Sequence, residues 1–376
     1  MKNIQMVDLK SQYDFIQKEV TENMAQVFQD TAFINGPMVK AFQSDLENYL
    51  NVKHVIPCAN GTDALQIALM GLKLVPGDEV ITADFTFAAT VEVISLLKLK
   101  PVLVDVDPQT FNIDPEAIEN AITPKTKAII PVHLFGQCAE MDAITAIAKK
   151  HNLFVVEDNA QGIGATYTFA DGTKAKTGTL GHVAATSFFP SKNLGAYGDG
   201  GAIFTNDDAL AHFIRGIVNH GMYKRYYHDV VGVNSRLDAL QAAVLKVKLK
   251  YLDFYNERRK EAALRYSEYF KNHPNLVIPS RTGGCNSHVF HQYTMKILKA
   301  DRDALVAHLN QHKIPCGVYY PVPLHAQKAY SDPEVDTSRF PVTNQLVRQV
   351  ISLPMHTELT IDQIDHIATT VLDFFD

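Results

Sequence analysis

The chain has 376 residues, of which 46% are hydrophobic and 20% charged, and its formal net charge is −6 at pH 7. This length exceeds one ordinary domain, and the apolar fraction is sufficient for a sizeable core. A mildly acidic chain lacks the basic surface that nucleic-acid binding requires, so neither DNA nor RNA is expected as a partner.

Four widely spaced cysteines, Cys58, Cys138, Cys285 and Cys316, form no CxxC pair. Neither a zinc knuckle nor a dense disulfide framework is therefore predicted, and no metal site is expected. The amino-terminal residues lack the apolar segment of a signal peptide, and no apolar run approaches the roughly 18 residues that span a bilayer. We expect a reduced, cytoplasmic enzyme without a membrane partner.

Short apolar runs alternate with amphipathic segments in the first half of the chain. The runs are rich in Val and Ile and continuously apolar, which is typical of strands buried on both faces of a sheet. In chain order they are HVIP (54–57), EVIT (79–82), PVLVDV (101–106), KAIIPV (127–132), LFVVED (153–158), VAATSF (183–188) and GAIFT (201–205). The helical patterns TDALQIALMGL, FAATVEVISLL, IDPEAIENAI and MDAITAIAKKH separate the earlier strands. This alternation predicts an α/β fold with a mostly parallel seven-stranded sheet and helices on both faces.

A long helical stretch, residues 235–269, follows the sheet and is dominated by Ala, Leu and Lys. After it, FHQYTMKI and PCGVYY predict strands, whereas DRDALVAHLNQH and TIDQIDHIATTVLDFF predict helices. This change of pattern indicates a smaller α+β domain. We place an amino-terminal segment and the large domain at residues 1–250, and the small domain at residues 251–376.

The strand LFVVED ends in Glu157 and Asp158. In open α/β sheets, ligands bind outside the carboxyl ends of the strands. An aspartate in this place can simply cap the next turn. Its carboxylate can also pair with a protonated ring nitrogen, and pyridoxal phosphate needs such a partner because its pyridinium ring acts as an electron sink.

Lys192 lies between the strand VAATSF and a glycine-rich stretch. Most lysines are solvated surface residues. This one has apolar neighbours, and such surroundings favour the neutral amine that forms a Schiff base. The neighbouring glycines let the backbone approach a ligand closely or serve a tight turn. The apolar neighbours are Phe188, Phe189, Pro190, Leu194 and Tyr197.

Small polar residues precede the first helical pattern, in the segment CANGTDALQIAL. Asn60, Gly61, Thr62 and Asp63 form a typical N-cap signal. The same geometry directs free N–H groups and a hydroxyl toward an anion, so the segment is also a candidate phosphate site. Ser187, shortly before Lys192, is a second candidate phosphate ligand.

Together these segments resemble the DegT/DnrJ/StrS family of sugar aminotransferases, which are fold-type I pyridoxal-phosphate (PLP) enzymes. The resemblance covers nearly the whole chain, and the matching segments occur in the family's order and spacing. They are NGTDAL (60–65), TFAAT (86–90), VVEDNAQ (155–161), SFFPSKNLG (187–195), GDGGAIFTND (198–207), NSRLDALQAA (234–243) and YYPVPLH (319–325).

The resemblance implies a role for each matching residue. Lys192 would form the Schiff base and carry the proton between substrate and cofactor, and Asp158 would hold the proton of the ring nitrogen. Gln161 would hydrogen-bond the ring hydroxyl oxygen, and Phe87 would stack on the ring, unless it only packs in the core. The phosphate ligands would be Gly61, Thr62, Ser187 and, from the neighbouring subunit, Asn234. The active unit is therefore expected to be a homodimer with shared active sites.

A more specific resemblance is to the UDP-2-acetamido-2-deoxy-hexuluronate 3-aminotransferases, carried by CANGTDALQI, ITPKTKAIIPV, VGVNSRLDALQAA and SLPMH. It implies a UDP-linked 3-keto 2-acetamido-hexuronic acid as substrate, glutamate as amino donor, and a place in surface polysaccharide biosynthesis. Arg236 can pair a sugar carboxylate bidentately, or form an ion pair within its own fold. The expected sugar contacts are Arg236, Tyr319 (which replaces a residue that can be His), Tyr320 and His325.

Several alternatives stay open beside this interpretation. The substrate can instead be a dTDP-linked 3-keto-6-deoxyhexose or a 4-keto sugar. A sugar dehydratase of the same family is disfavoured, because such enzymes carry His in place of Lys192. A non-catalytic PLP-binding regulator is also disfavoured, because it does not need Lys192, Asp158 and Gln161 together. A nicotinamide enzyme is disfavoured because no GxGxxG follows the first strand.

Overall fold

The computed structural model describes residues 3–280, 288–333 and 335–376, so Cys285 lies outside the described residues. Its largest sheet has seven strands in the order β1–β9–β8–β5–β4–β2–β3. Every neighbouring pair is parallel except the two that β9 forms, with β8 and with β1. All seven runs that the sequence predicts as strands are in this sheet. The predicted α/β fold is confirmed.

The strands are short, as in most sheets of this kind. Those of the large sheet are β1 (His54–Cys58), β2 (Glu79–Ala83), β3 (Lys100–Val104), β4 (Thr126–Ile130), β5 (Phe154–Asp158), β8 (Val183–Ser187) and β9 (Gly201–Thr205). The strands of the smaller sheets are β6 (Thr166–Thr168), β7 (Lys174–Lys176), β10 (Met222–Lys224), β11 (Tyr227–His228), β12 (Leu276–Val277), β13 (Tyr293–Ile297) and β14 (Val350–Leu353).

The helices surround the large sheet and form most of the carboxyl-terminal part. They are α1 (Leu9–Asp30), α2 (Pro37–Leu50), α3 (Gly61–Gly71), α4 (Ala89–Leu96), α5 (Pro115–Ala121), α6 (Met141–His151), α7 (Asp208–Ile217), α8 (Ala239–Lys250), α9 (Leu252–Phe270), α10 (Arg302–Gln311), α11 (Pro341–Gln349) and α12 (Ile361–Asp373). Within the described part of the chain, none of them combines the length and apolar character of a membrane span.

Successive residues of the large sheet pack against helices on opposite faces. Val55 belongs to a core with α2 and α8, whereas Ile56 belongs to a core with α3 and α7. In the same way, Val155 packs with α6 and Val156 with α3. Because side chains alternate along a strand and both faces are covered, each strand must be apolar throughout. This burial explains the continuous apolar runs in the sequence.

The carboxyl-terminal part has its own core, built from α9, α10, α12 and the sheet β12–β13–β14. The first residue of α9, Leu252, still packs in the core of the large sheet, whereas Ala262 and Ala263 pack in the second core. The division into domains at residues 250 and 251 stays a prediction. It falls where α8 ends and α9 begins.

Two details of the sequence-based prediction are wrong. The stretch 235–269 is not one helix, because α8 ends at Lys250 and Tyr251 has non-helical backbone angles before α9 begins. The segment PCGVYY forms no regular strand and pairs only through a single bridge between Gly317 and Ser352. Its residues instead pass from the small sheet toward the edge of the large one, where Tyr319 and Tyr320 pack.

A lysine in the middle of α8 is almost completely buried. Lys248 is 1% exposed, and its Nζ lies 4.6 Å from the centre of the Tyr197 ring. It forms no ion pair with any described residue. Burial lowers the pKa of Lys248 to about 7, and the nearby Arg259 acts in the same direction. The amine of Lys248 is therefore protonated less readily in the folded protein than in the unfolded chain.

We predict that Lys248→Met stabilises the protein at low pH. The unfolded chain keeps this proton up to the ordinary pKa of 10.5, whereas the folded protein releases it near 7. The penalty is therefore complete below pH 7 and disappears as the pH rises toward 10.5. At pH 6 the substitution should raise the free energy of unfolding by about 2–4 kcal/mol, and at pH 10 by much less.

Denaturant unfolding at the two pH values measures this effect. Lys250→Met is the matched control, because Lys250 lies on the same helix, is exposed, and bonds Glu19 at 2.7 Å. An exposed ion pair contributes about 0–1 kcal/mol, so the control should change stability little. Equal effects of Lys248→Met at pH 6 and pH 10 would contradict the account.

Candidate active site

The predicted site residues follow the carboxyl ends of neighbouring parallel strands. Asp158 ends β5 and Ser187 ends β8, while Gly61 comes soon after β1. Phe87 lies in the segment between β2 and α4. Because the carboxyl ends of parallel strands meet at one edge of a sheet, these residues come together there.

Asp158 is a buried carboxylate with few hydrogen bonds. Its Oδ2 accepts from the Thr90 hydroxyl at 2.8 Å, and its Oδ1 accepts from the Ala160 N–H at 3.1 Å. Burial raises the pKa of Asp158, although these two bonds and the nearby Lys192 act against the rise. A carboxylate has about four acceptor positions, so Asp158 can still receive a hydrogen bond from a ligand.

Lys192 lies on the connection between β8 and β9 and is partly buried. Its amine forms no hydrogen bond or ion pair within residues 3–280, 288–333 and 335–376. Burial lowers the pKa of Lys192 to about 8, while the charge of Asp158 acts in the opposite direction. The site thus contains an amine that is readily deprotonated, close enough to a buried carboxylate for the two charges to interact.

The start of α3 forms a candidate anion site. Asn60 caps the helix, because its Oδ1 accepts from the Asp63 N–H at 2.8 Å. The N–H groups of Gly61 and Thr62 precede the first intrahelical bonds and can bind an anion. A Cβ at Gly61 would lie 2.6 Å from the Cβ of Ser187, so only glycine lets the helix start approach this serine. The two helix N–H groups and the hydroxyls of Thr62 and Ser187 thus come together.

Gln161 has a fixed amide orientation. Its Oε1 accepts from the Phe135 N–H at 2.7 Å, and its Nε2 donates to the Tyr320 hydroxyl at 3.3 Å. An amide nitrogen has two hydrogens, so the second can bond a ligand oxygen. Phe87 is 57% exposed, and its ring centre lies 6.3 Å from that of Tyr320. The structure therefore places Gln161, Tyr320 and Phe87 together beside the site.

The loop before α8 carries two further predicted residues. Asn234 is exposed, and the neighbouring Ser235 is buried with its Oγ accepting from the Ala59 N–H at 3.0 Å. This bond holds the loop beside the start of α3. Arg236 is partly buried, and no described residue forms an ion pair or a hydrogen bond with its guanidinium. A substrate anion could therefore pair with it without displacing a protein carboxylate.

His325 has a structural partner that the sequence did not indicate. It is buried, its backbone N–H donates to Asp84 Oδ1 at 2.8 Å, and its Nδ1 bonds Asp84 Oδ2 at 2.6 Å. The ring also stacks on Phe340, with 4.7 Å between the ring centres. Only Nε2 remains for a substrate, so the predicted sugar contact of His325 depends on that atom and stays a prediction.

Sequence reasoning missed a buried pair beside Asp158. The Nδ1 of His133 accepts from the Ala139 N–H at 3.2 Å, so the ring proton is on Nε2, which donates to Glu157 at 2.8 Å. Glu157 also accepts N–H bonds from Gly178, Leu180 and Gly181. The pair thus fixes the end of β5 and the turn before β8. The sequence feature that could have indicated this pair is His133, a polar residue that follows β4 at the same edge of the sheet as Asp158.

Two relatives and one solved structure match this chain over nearly its whole length. It is 46% identical over 374 residues to a pleiotropic regulatory protein of Geobacillus stearothermophilus, covering 99% of each chain. It is 46% identical over 357 residues to the UDP-2-acetamido-2-deoxy-3-oxo-D-glucuronate aminotransferase of Pseudomonas aeruginosa, covering 95% of this chain and 96% of that protein. The structure of S. venezuelae DesV with a ketimine intermediate superposes with a TM-score of 0.94, at 36% identity, covering 100% of this chain and 99% of that one.

A family model described as the DegT/DnrJ/EryC1/StrS aminotransferase family matches residues 14–372. The family predicted from the sequence is thus confirmed, as are the fold-type I architecture, the aminotransferase class and pyridoxal phosphate as cofactor. The arrangement of Asp158 and Lys192 at the sheet edge agrees with the match along nearly the full chain. This protein is a member of the DegT/DnrJ/EryC1/StrS aminotransferase family.

Proposed function

We propose that this enzyme transfers an amino group from glutamate to the keto group of a nucleotide-linked sugar, with pyridoxal phosphate as cofactor. The observation that carries the proposal is the proximity of Lys192 to the buried carboxylate of Asp158. The amine of Lys192 has a lowered pKa and bonds no residue in the described part of the chain. Such a pair suits the covalent and electrostatic requirements of this cofactor. The similarity to a sugar-nucleotide aminotransferase supports the substrate class.

The residues at the sheet edge fit the cofactor. When bound, pyridoxal phosphate supplies an electron sink for the carbon that carries the amino group. The start of α3 and Ser187 form a cradle that a Cβ at Gly61 would fill, and a phosphate suits the N-terminus of a helix. Gln161 keeps one N–H for the ring hydroxyl oxygen, and the exposed ring of Phe87 can cover the face of an aromatic ligand.

Lys192 has two tasks in this proposal. Its Nζ would hold the cofactor covalently in the resting enzyme. Once the incoming amine has displaced it, the freed Nζ would move a proton between the two carbons whose bonding changes. A base works best when its pKa lies near the working pH. With a pKa of about 8, Nζ is partly neutral near neutral pH and can both accept and return a proton.

Asp158 holds a proton at the ring nitrogen of the cofactor. The Thr90 hydroxyl and the Ala160 N–H fix the direction of its carboxylate. Because the carboxylate is buried, water screens its charge only weakly, and its interaction with a pyridinium is strong. An amide at this position would keep the shape but lose the charge.

We propose a UDP-linked 2-acetamido-3-keto-hexuronic acid as the sugar substrate, aminated at C3 to give a precursor for surface polysaccharide. The 46% identity to an aminotransferase of that substrate supports this choice. Arg236 supplies a second argument, because a partly buried guanidinium that pairs with none of the described residues suits the C6 carboxylate of a uronic acid. A 6-deoxy sugar carries a methyl group at C6 and offers no such partner.

We further propose that the active unit is a homodimer. Asn234 is exposed next to Ser235, whose bond to Ala59 keeps this loop near the phosphate cradle. The proposed dimer forms across this surface about a two-fold axis, so that Asn234 of each subunit would reach the cradle of the other. One subunit alone would then lack part of each site.

The proposed activity predicts a specific product. Incubation with glutamate and a panel of UDP- and dTDP-linked 3-keto and 4-keto sugars should give an amino sugar from the UDP-linked 3-keto uronic acid, detected by mass spectrometry. Lys192→Ala should abolish turnover. If the wild-type protein loads with pyridoxal phosphate but aminates no sugar in the panel, the proposed substrate class is wrong and a regulatory role gains support.

Gly61→Ala should weaken cofactor binding. The added Cβ would lie 2.6 Å from the Ser187 Cβ and force the helix start out of the cradle. We expect a rise of at least about tenfold in the dissociation constant of pyridoxal phosphate, measured by absorbance titration. Gly71→Ala is the matched control, because it lies at the other end of α3, where its Cβ would press on the Ile214 and Leu210 side chains, away from the cradle. Equal affinities in the two variants would contradict the cradle.

Arg236→Ala should discriminate between substrates. Loss of a charge-assisted bond to the C6 carboxylate costs about 1.5–3 kcal/mol, so kcat/KM for the uronic acid should fall about tenfold to a hundredfold. A 6-deoxy sugar nucleotide should be affected far less. Arg236→Lys keeps the charge without the bidentate geometry, and its kcat/KM for the uronic acid should lie between those of the wild type and Arg236→Ala. Equal losses for both sugars would mean that Arg236 binds a group that they share, such as the diphosphate.

A shared site predicts complementation between inactive variants. In a heterodimer of Lys192→Ala with Asn234→Ala, one of the two sites has both wild-type residues. Random exchange of equal amounts should restore up to about one quarter of wild-type activity, because half of the dimers are mixed and each has one complete site. The assay is done at limiting cofactor, with native mass spectrometry to prove exchange. Proven exchange without recovery would refute the shared site.

A further inference from the structure

The residue after Lys192 connects the cofactor lysine to the carboxyl-terminal part of the chain. Asn193 is buried, and its Nδ2 donates to Asn256 Oδ1 on α9 at 2.8 Å and to the Val289 carbonyl at 2.9 Å. Its Oδ1 lies 3.2 Å from Nδ1 of His291. A single amide thus bonds three residues from outside the β8–β9 connection.

These bonds determine the proton position on His291. A carbonyl only accepts, so the atom of Asn193 that bonds Val289 is its amide nitrogen, and the atom that meets His291 is its oxygen. An oxygen without a hydrogen must accept, so Nδ1 of His291 carries a proton and donates it. In the neutral ring, Nε2 therefore carries the lone pair.

The surroundings keep this imidazole neutral. His291 is 6% exposed, and Arg259 on α9 donates to the carbonyls of Phe290 and His291 at 3.2 and 3.3 Å. Burial, together with the charges of Lys192 and Arg259, holds the pKa of His291 well below its ordinary value. A second proton on His291 would place a third positive charge in this buried region.

We propose that His291 is a positioning residue for Lys192, acting as a neutral hydrogen-bond donor that clamps Asn193 and keeps the lysine turn packed against α9 and residues 288–291. This inference rests on the proposed function, because it takes Lys192 as the lysine that holds the cofactor. The backbone N–H of Lys192 bonds only locally, to the Phe189 carbonyl at 2.8 Å. The clamp on Asn193 therefore holds the turn in the position where Lys192 is partly buried.

The clamp has a measurable consequence for the lysine. Among the described residues, Asp158 on β5 is the charge that acts on Lys192, and the charges of Lys192 and Arg259 both act on His291. Release of the turn admits water to the amine, and the pKa of Lys192 should then rise from about 8 toward its ordinary 10.5. Desolvation is the largest cause of the lowered value, so its loss outweighs the change in charge interactions.

The test is competitive acetylation of Lys192 in the cofactor-free protein across a pH series, with mass spectrometry of the Lys192 peptide. His291→Phe keeps a planar ring but loses the donor, and it should raise the pKa of Lys192 by at least about one unit. The neutral fraction of the amine at pH 8 then falls from about one half to about one tenth, so labelling at that pH should slow by about fivefold or more. His291→Gln keeps a donor and should give a smaller shift. His288 is a buried histidine of the same segment whose Nδ1 accepts from the Phe290 N–H and not from Asn193, so His288→Phe is the matched control and should give a much smaller shift.

A second variant tests the proposal independently, in case His291→Phe does not fold. Asn193→Ala removes the same clamp from the other side and should produce the same shift; a wild-type labelling profile in either folded variant overturns the proposal. A shift of equal size in His288→Phe also overturns it, because the effect would then be general loosening. Borohydride reduction of the wild-type holoenzyme separates the two hypotheses: a label on another lysine refutes the proposed function, whereas a label on Lys192 with unshifted variants refutes only the role of His291.

Discussion

The carboxylate of Asp158 loses most of its hydration at the end of β5, and the protein compensates this loss only in part. One hydroxyl and one backbone N–H bond it, and the nearby amine of Lys192 adds a favourable charge. Two ionisable groups are thus held in surroundings that disfavour the charged form of each. A cationic ring nitrogen placed beside Asp158 would complete its hydrogen bonding, which is why the architecture suits a pyridinium cofactor.

The fold makes this arrangement possible through the direction of its strands. Six strands run parallel, so the ends of β1, β5 and β8 deliver Gly61, Asp158 and Ser187 to one edge. The antiparallel β9 returns the chain beside β8, and the connection between these strands, residues 188–200, carries Lys192. The next residue, Asn193, bonds Asn256 on α9 and so ties this connection to the carboxyl-terminal part. If the clamp on Asn193 acts as we propose, His291 and α9 contribute to the chemistry by positioning Lys192.

Much of the fold and the centre of the site could be predicted from the sequence. Seven continuous apolar runs identified the sheet, because burial on both faces requires that pattern. Lys192 and Asp158 were recognisable from their places at strand ends and from the order of neighbouring motifs. Local patterns could not reveal that Thr90 bonds Asp158, or that His133 bonds Glu157, because those contacts depend on the spacing of separate strands. The partner of His325, Asp84, is 241 positions away in the chain and was equally hidden.

The most direct test of the central claim is reduction of the cofactor-loaded enzyme with borohydride, followed by mass spectrometry of its peptides. The account predicts that the pyridoxyl group is found on Lys192 and on no other of the chain's lysines. Its attachment to a different lysine, or the absence of any covalent label in a protein that binds the cofactor, would contradict the assignment of the active site.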